Sequence, residues 1–181
     1  MADDDEQLGR LLSVAALLRS ILSDEAVVVG GVAQMYWTQL PYHPTDLDVC
    51  TPLGPGYEER LLAAGFVRDG RHWWHEQHGV AVEFPESLAD GDPSQFEEVH
   101  GALILGVSDL YLDRLRQSTA NDNRDSVEHQ SLLAVASSCI SIIDWPYVRR
   151  RIAAEPEHLR AAMRRNQRVV RRAVRAVPPE D

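Results

Sequence analysis

Val27-Val28-Val29-Gly30-Gly31-Val32-Ala33, followed after a proline-bearing loop by Thr45-Asp46-Leu47-Asp48-Val49, is the stretch on which the fold turns. Residues 26–29 are a short β-branched run, the pattern of a buried strand, and the glycine pair ends it in a turn. Residues 32–40 then carry a helical pattern. Pro41 and Pro44 bracket a loop, and residues 46–50 form the next strand. On that strand side chains alternate, so Asp46 and Asp48 emerge on one face while Leu47 and Val49 point into the core.

Two carboxylates so close repel unless a cation sits between them. A divalent metal resolves the conflict, and oxygen donors suit Mg²⁺ or Mn²⁺, with water and phosphate completing the shell. Glu83 falls on a later strand, residues 80–84, where Val80, Val82 and Phe84 form one face and Ala81 and Glu83 the other. If the two strands are neighbours, three acids share one face and can hold two metals ~4 Å apart, as phosphoryl-transfer sites do. The Gly30-Gly31 turn, opening into a helix, offers backbone N–H groups to phosphate with no side chain in the way. The plainer alternatives are a solvated strand edge for Asp46 and Asp48, a surface glutamate on an edge strand for Glu83, and an ordinary tight connection for the glycines.

These residues resemble the signature of the DNA polymerase β-type nucleotidyltransferase superfamily, in which a Gly-Gly or Gly-Ser turn precedes an Asp-x-Asp strand and a later strand supplies a third acid. Val107-Ser108-Asp109-Leu110, Arg114-Leu115 and Asp125 look like the segment that follows the core in small bacterial members, including AbiEii-type toxins of toxin–antitoxin pairs. The resemblance covers roughly residues 25–135. It implies a nucleotidyltransferase-like α/β fold, a mixed sheet flanked by helices, and a nucleoside triphosphate as substrate. It further implies metal ligation and catalysis by Asp46, Asp48 and Glu83, triphosphate binding by Gly30, Gly31 and Thr45, and a phosphate contact from Arg114. RNA, a protein side chain and a small molecule all remain open as the hydroxyl acceptor. Two departures stand out: Gly31 replaces the usual serine, and the helical lysines of some toxin-like relatives are missing, with Arg114 and Arg116 nearest in place. A domain of the same fold without catalysis, binding a nucleotide or a partner, is the alternative.

Outward from this core, an amphipathic helix is expected over residues 6–22 and a short helix over 57–64. A hairpin is expected around Asp69-Gly70, and a last strand over 102–107 after an acidic loop. The rest reads as helices over 108–117, 125–142 and 146–177, with Ser108 as an N-cap. The seam falls near residue 108, dividing a core of residues 1–107 from a helical region of residues 108–181 packed on it. His72, His75 and His78 suggest zinc, but residues three apart on a strand face opposite sides, which argues against convergence. Trp73 and Trp74 read as sheet packing and a rim contact.

The charge is unevenly distributed. Residues 1–100 hold 18 acids and 5 Arg, residues 101–181 hold 10 acids and 13 Arg, and the chain contains no Lys. Lysine-based bases and Schiff-base chemistry are thereby excluded. Ten Arg lie between Arg149 and Arg175, a basic face that is either solvated or contacts an RNA backbone or an acidic partner. Cys50 and Cys139 are the only cysteines, expected as reduced packing residues. With no apolar run of ~20 residues and an acidic N-terminus, the expectation is a cytoplasmic protein with no membrane segment.

Overall fold

Alternation of apolar residues builds the first half of the chain around one sheet. The computed structural model describes residues 2–40, 44–121 and 123–176. The chain divides into two compact units, Met1–Gly106 and Val107–Asp181. The first holds strands β1 (Val27–Val28), β2 (Leu47–Cys50), β3 (Phe66–Asp69), β4 (His72–His75), β5 (Val80–Glu83), β6 (Glu97–Val99) and β7 (Ala102–Ile104). They form one mixed sheet in the order β3-β4-β5-β2-β1-β7-β6. β2 runs parallel to β5 and antiparallel to β1, and β1 runs parallel to β7. The expected mixed α/β core with a helical C-terminal region is therefore the observed architecture.

Helix α1 (Ala2–Ile21) supplies Leu11, Leu12, Val14, Ala15 and Leu18 to the core of this unit, together with Val27, Val28, Leu47, Val49, Val82 and Ile104. It begins earlier than the apolar pattern suggests, because acidic residues favour the positive end of the helix dipole and extend the first turn. Helix α2 (Gly30–Thr38) takes in both glycines of the expected turn, and α3 is Tyr57–Ala63. The stretch predicted as an acidic loop contains β6, whose two glutamates are exposed and which pairs only with β7. Glutamate is unfavourable in strands in general, but an outer edge solvates it. The strand expected to run to residue 107 stops at Ile104, because Gly106 passes tightly against Gln95: a Cβ there would lie 2.6 Å from the Gln95 carbonyl oxygen. Pro41 and Val177, in the expected loop and final helix, lie outside the described residues.

The hairpin of β3 and β4 turns at Gly70 as expected, and the histidines divide as alternation requires. His75 is buried (3% exposed) against Phe66, while His72 faces the other way, so the two do not converge. The backbone N–H of His78 donates to Nδ1 of His75 (3.3 Å), which holds that nitrogen unprotonated. Burial, and then the neighbouring His78, push the His75 imidazole below its ordinary pKa. The folded chain thus binds fewer protons here than the unfolded chain, whose histidine titrates near ~6.5. Stability from this group is complete above that value and falls as the pH drops below it. The urea midpoint is expected to decline from pH 7.5 to 5.5, and His75→Gln should shrink the decline; an identical decline in the variant would exclude His75 as its source.

The second unit is helical: α4 (Val107–Ala120), α5 (Val127–Ser138), α6 (Trp145–Ala154) and α7 (Glu157–Ala176). Its core holds Leu110, Tyr111, Leu115, Leu132, Val135, Val148, Ile152, Met163 and Val170. Ser108 is not an N-cap. It lies inside α4, and its Oγ accepts from the Asp144 N–H (2.9 Å). Asp109 is buried rather than solvated and accepts from the Tyr147 hydroxyl (2.6 Å) and the Arg151 guanidinium (3.3 Å). Helix α5 is shorter than the expected 125–142, capped by Ser126 and closed at Cys139. The single final helix is instead two. Pro156 cannot donate an N–H and forces Glu155 into extended backbone (ψ 154°). The break places the Glu155 carboxylate against Arg116, at 2.7 Å from Nε and 2.6 Å from Nη2. No helix among the described residues is long and apolar enough to cross a membrane.

Candidate metal centre

The sheet brings the acids onto one face through its register. Leu47 pairs with Val82 and Asp48 with Glu83 along the parallel β2–β5 ladder, so the buried pair lies on one side and the carboxylates on the other. Asp46, one residue before β2, shares the face of Asp48. His72 reaches the same place from β4, on the far side of β5. Its Nε2 lies 3.4 Å from Oδ2 of Asp46 and 3.4 Å from Oε2 of Glu83. Asp46, His72 and Glu83 each offer one ligand atom, and these atoms lie within 4.8 Å of one another. Arg71, at the head of the same strand, brings Nη2 to 3.4 Å from Oε2 of Glu83.

Asp48 serves the neighbouring feature. A Cβ built on Gly30, whose φ is +63°, would stand 2.9 Å from Cγ of Asp48 and collide with its Oδ2. Only a glycine permits this approach. The Val29 N–H donates to the Asp48 carbonyl (3.0 Å), which pins β1 against β2 where α2 begins. The N-cap residue Val29 makes no side-chain capping bond, and the Asp48 carboxylate lies against this helix start. Gly31 follows within the first turn. Thr45 donates its hydroxyl to Oδ1 of Asp46 (3.2 Å) and so orients that carboxylate. Arg114 belongs to α4 in the second unit, where it donates to Oε1 of Gln117 (2.8 Å) and stands 3.9 Å from Asp113.

His72 is the residue beside the Asp46 and Glu83 carboxylates that motif reasoning passed over. Its signal was present in the register: Trp73 pairs with Val82 and His75 with Val80 across the antiparallel β4–β5 ladder, which sets His72 opposite Glu83. The donor set fits a divalent cation. Two half-buried carboxylates suit Mg²⁺ or Mn²⁺, and an imidazole nitrogen strengthens the hold on a transition ion.

No protein-family model matches the sequence, and no curated protein matches it. Among solved structures the chain is similar to the solution structure of the antibiotic-resistance factor ANT(2'')-Ia. The identity is 15%, the TM-score 0.47, and the similarity covers 96% of this chain and 100% of that one.

Proposed function

We propose that this protein is a metal-dependent nucleotidyltransferase that moves a nucleoside monophosphate from a nucleoside triphosphate onto a hydroxyl. One observation carries the reading: Asp46, Asp48 and Glu83 share a sheet face, and Asp48 lies directly against the glycine that starts α2. Asp46 and Glu83, with His72, are the residues to hold the first cation, and Asp48 with Glu83 flank a second position. A bound Mg²⁺ or Mn²⁺ supplies charge neutralisation for the polyphosphate and polarises the reacting oxygens. The N–H groups of Gly30 and Gly31 bind phosphate oxygens at the helix start, and Thr45 keeps Asp46 in line. Glu83 takes the proton of the acceptor hydroxyl. A bond then forms between that oxygen and the α-phosphorus, the bond to the β-bridging oxygen breaks, and pyrophosphate leaves. Arg114 remains a proposed phosphate contact. RNA, a protein and a small molecule are the acceptor classes, and an AbiEii-like toxin–antitoxin role belongs with the first two.

A second reading is favoured by the contacts of His72 and Arg71, which already give Asp46 and Glu83 cationic or hydrogen-bonding partners. In that case the site binds a nucleotide or a protein without turnover. Incubation with labelled NTPs, Mg²⁺ or Mn²⁺ and each acceptor class separates the two. Pyrophosphate release with label transfer supports the enzyme. Metal-dependent binding of a non-hydrolysable NTP with no transfer to any acceptor supports the second reading.

The arginine face of α7 sorts the acceptor classes. Arg171 stacks on the Trp145 ring (5.1 Å) and is half-buried, whereas Arg164, Arg165, Arg168 and Arg172 are exposed. If the acceptor is RNA, each phosphate neutralised contributes about −0.7 to the slope of log affinity against log salt. Changing these four to Gln is expected to flatten the slope by up to about 3 units while NTP affinity stays constant. An unaltered slope in filter-binding titrations assigns the face to solvent or an acidic protein.

A further inference from the structure

A polar cavity of about 190 Å³ lies wholly within the helical unit, between α4, α5 and α7. None of its lining residues belongs to the acidic cluster, and among the described residues none that lines it carries a carboxylate. Two guanidiniums line it, those of Arg124 and Arg165. Neither makes a hydrogen bond or ion pair among the described residues.

The floor is built from buried polar groups. Ser118 and His129 are 5% and 6% exposed, and Ser118 Oγ lies 2.9 Å from His129 Nδ1. Asn166 Nδ2 donates to Ser118 Oγ (3.1 Å) and to Thr119 Oγ1 (3.3 Å). Thr119 in turn donates to the Leu115 carbonyl (2.6 Å). Ser118 Oγ accepts from Asn166 and shares a hydrogen bond with Nδ1 of His129, which ties α4, α5 and α7 together beneath the cavity. Two exposed guanidiniums, without partners among the described residues, thus stand at the mouth of a cavity whose floor is already hydrogen-bonded. Two guanidiniums facing one polar cavity, with no acid among its described lining residues, are complemented by a ligand rich in charged acceptor oxygens. Glu128, nearby on α5, accepts from the Asn121 amide (3.0 Å).

Size narrows the class. At ~30 Å³ per water the cavity holds roughly six waters, below the ~300–1,000 Å³ of pockets that enclose drug-sized ligands. We propose that it binds a small phosphate, free or as the terminal monoester group of a small molecule, with Arg124 and Arg165 as its charged donors. This site is separate from the acidic cluster and needs no metal.

Isothermal titration with inorganic phosphate, in excess chelator and at ionic strength fixed with chloride, tests the proposal. Saturable one-to-one binding is expected, weakened about tenfold or more in Arg124→Gln/Arg165→Gln. Both side chains are exposed, so the urea midpoint should hold, and Arg165→Gln alone gives the same reading at smaller amplitude. Asp46→Asn/Asp48→Asn should bind phosphate like the parent, which separates this proposal from the transferase reading. Dimethyl phosphate, a diester, should compete at least about tenfold less well, since it offers fewer charged oxygens. Absence of saturable binding, retention of full affinity in the arginine variants, or loss in the aspartate variant would overturn the site. Equal competition by the diester would assign the cavity to a nucleic-acid backbone and overturn the small-ligand class.

Discussion

Replacing Asp46 and Asp48 together by asparagine is expected to weaken metal-dependent nucleotide binding by about a hundredfold or more while leaving the fold intact. The two side chains are half-buried, and asparagine keeps their shape, so Leu47 and Val49 still anchor β2 beneath them. What disappears is charge: an amide oxygen is a far poorer partner for a divalent cation than a carboxylate. Titration of Mn²⁺ with a non-hydrolysable NTP checks this. Unchanged affinity in the double variant would remove both residues from the metal centre. His72→Gln provides the graded comparison, because it deletes the imidazole donor and leaves the carboxylates. It should lower Mn²⁺ affinity more than Mg²⁺ affinity, since nitrogen ligation matters more to the transition ion.

The carboxylate face was legible because strand periodicity is rigid. Leu47 and Val82 alternate with Asp48 and Glu83, so burying the first pair puts the second on the opposite face, and the register pairs them there. The approach of Gly30 to Asp48 was not legible, since a glycine pair gives no indication of which side chain fills the space it leaves. His72 escaped notice for a different reason. Its three-residue spacing from His75 correctly argued against a histidine cluster, but the partner that matters, Glu83, lies on another strand, across a turn whose register had to be fixed first. In the helical unit, local signals competed with tertiary ones. Ser108 and Asp109 have the composition of a helix start, yet bonds from Asp144, Tyr147 and Arg151 take up their side chains. Pro156 was the available clue to the break between α6 and α7, and the arginine run around it concealed the change of direction.

Gly30→Ala is expected to destabilise the first unit strongly. Two costs add. Positive φ (here +63°) disfavours any residue with a Cβ by about 1 kcal/mol. The new methyl must also displace the Asp48 carboxylate, whose Cγ would lie only 2.9 Å away and whose strand is locked by the Val29 N–H bond to the Asp48 carbonyl. A combined loss of about 2–4 kcal/mol follows, with a fall in Tm of roughly 5–15 °C for a chain of this size. The two contributions separate in a double-mutant cycle with Asp48→Ala. Removing the carboxylate relieves the collision but not the backbone strain, so Gly30→Ala should cost only about 1 kcal/mol in that background. Equal costs in both backgrounds would mean that Asp48 does not pack against Gly30. Nucleotide binding gives the other half of the result. Asp48→Ala/Gly30→Ala should recover most of the stability lost in Gly30→Ala and none of the metal-dependent affinity. That divergence is expected if the glycine exists to let a carboxylate stand at the start of α2, since a purely structural turn would recover both together.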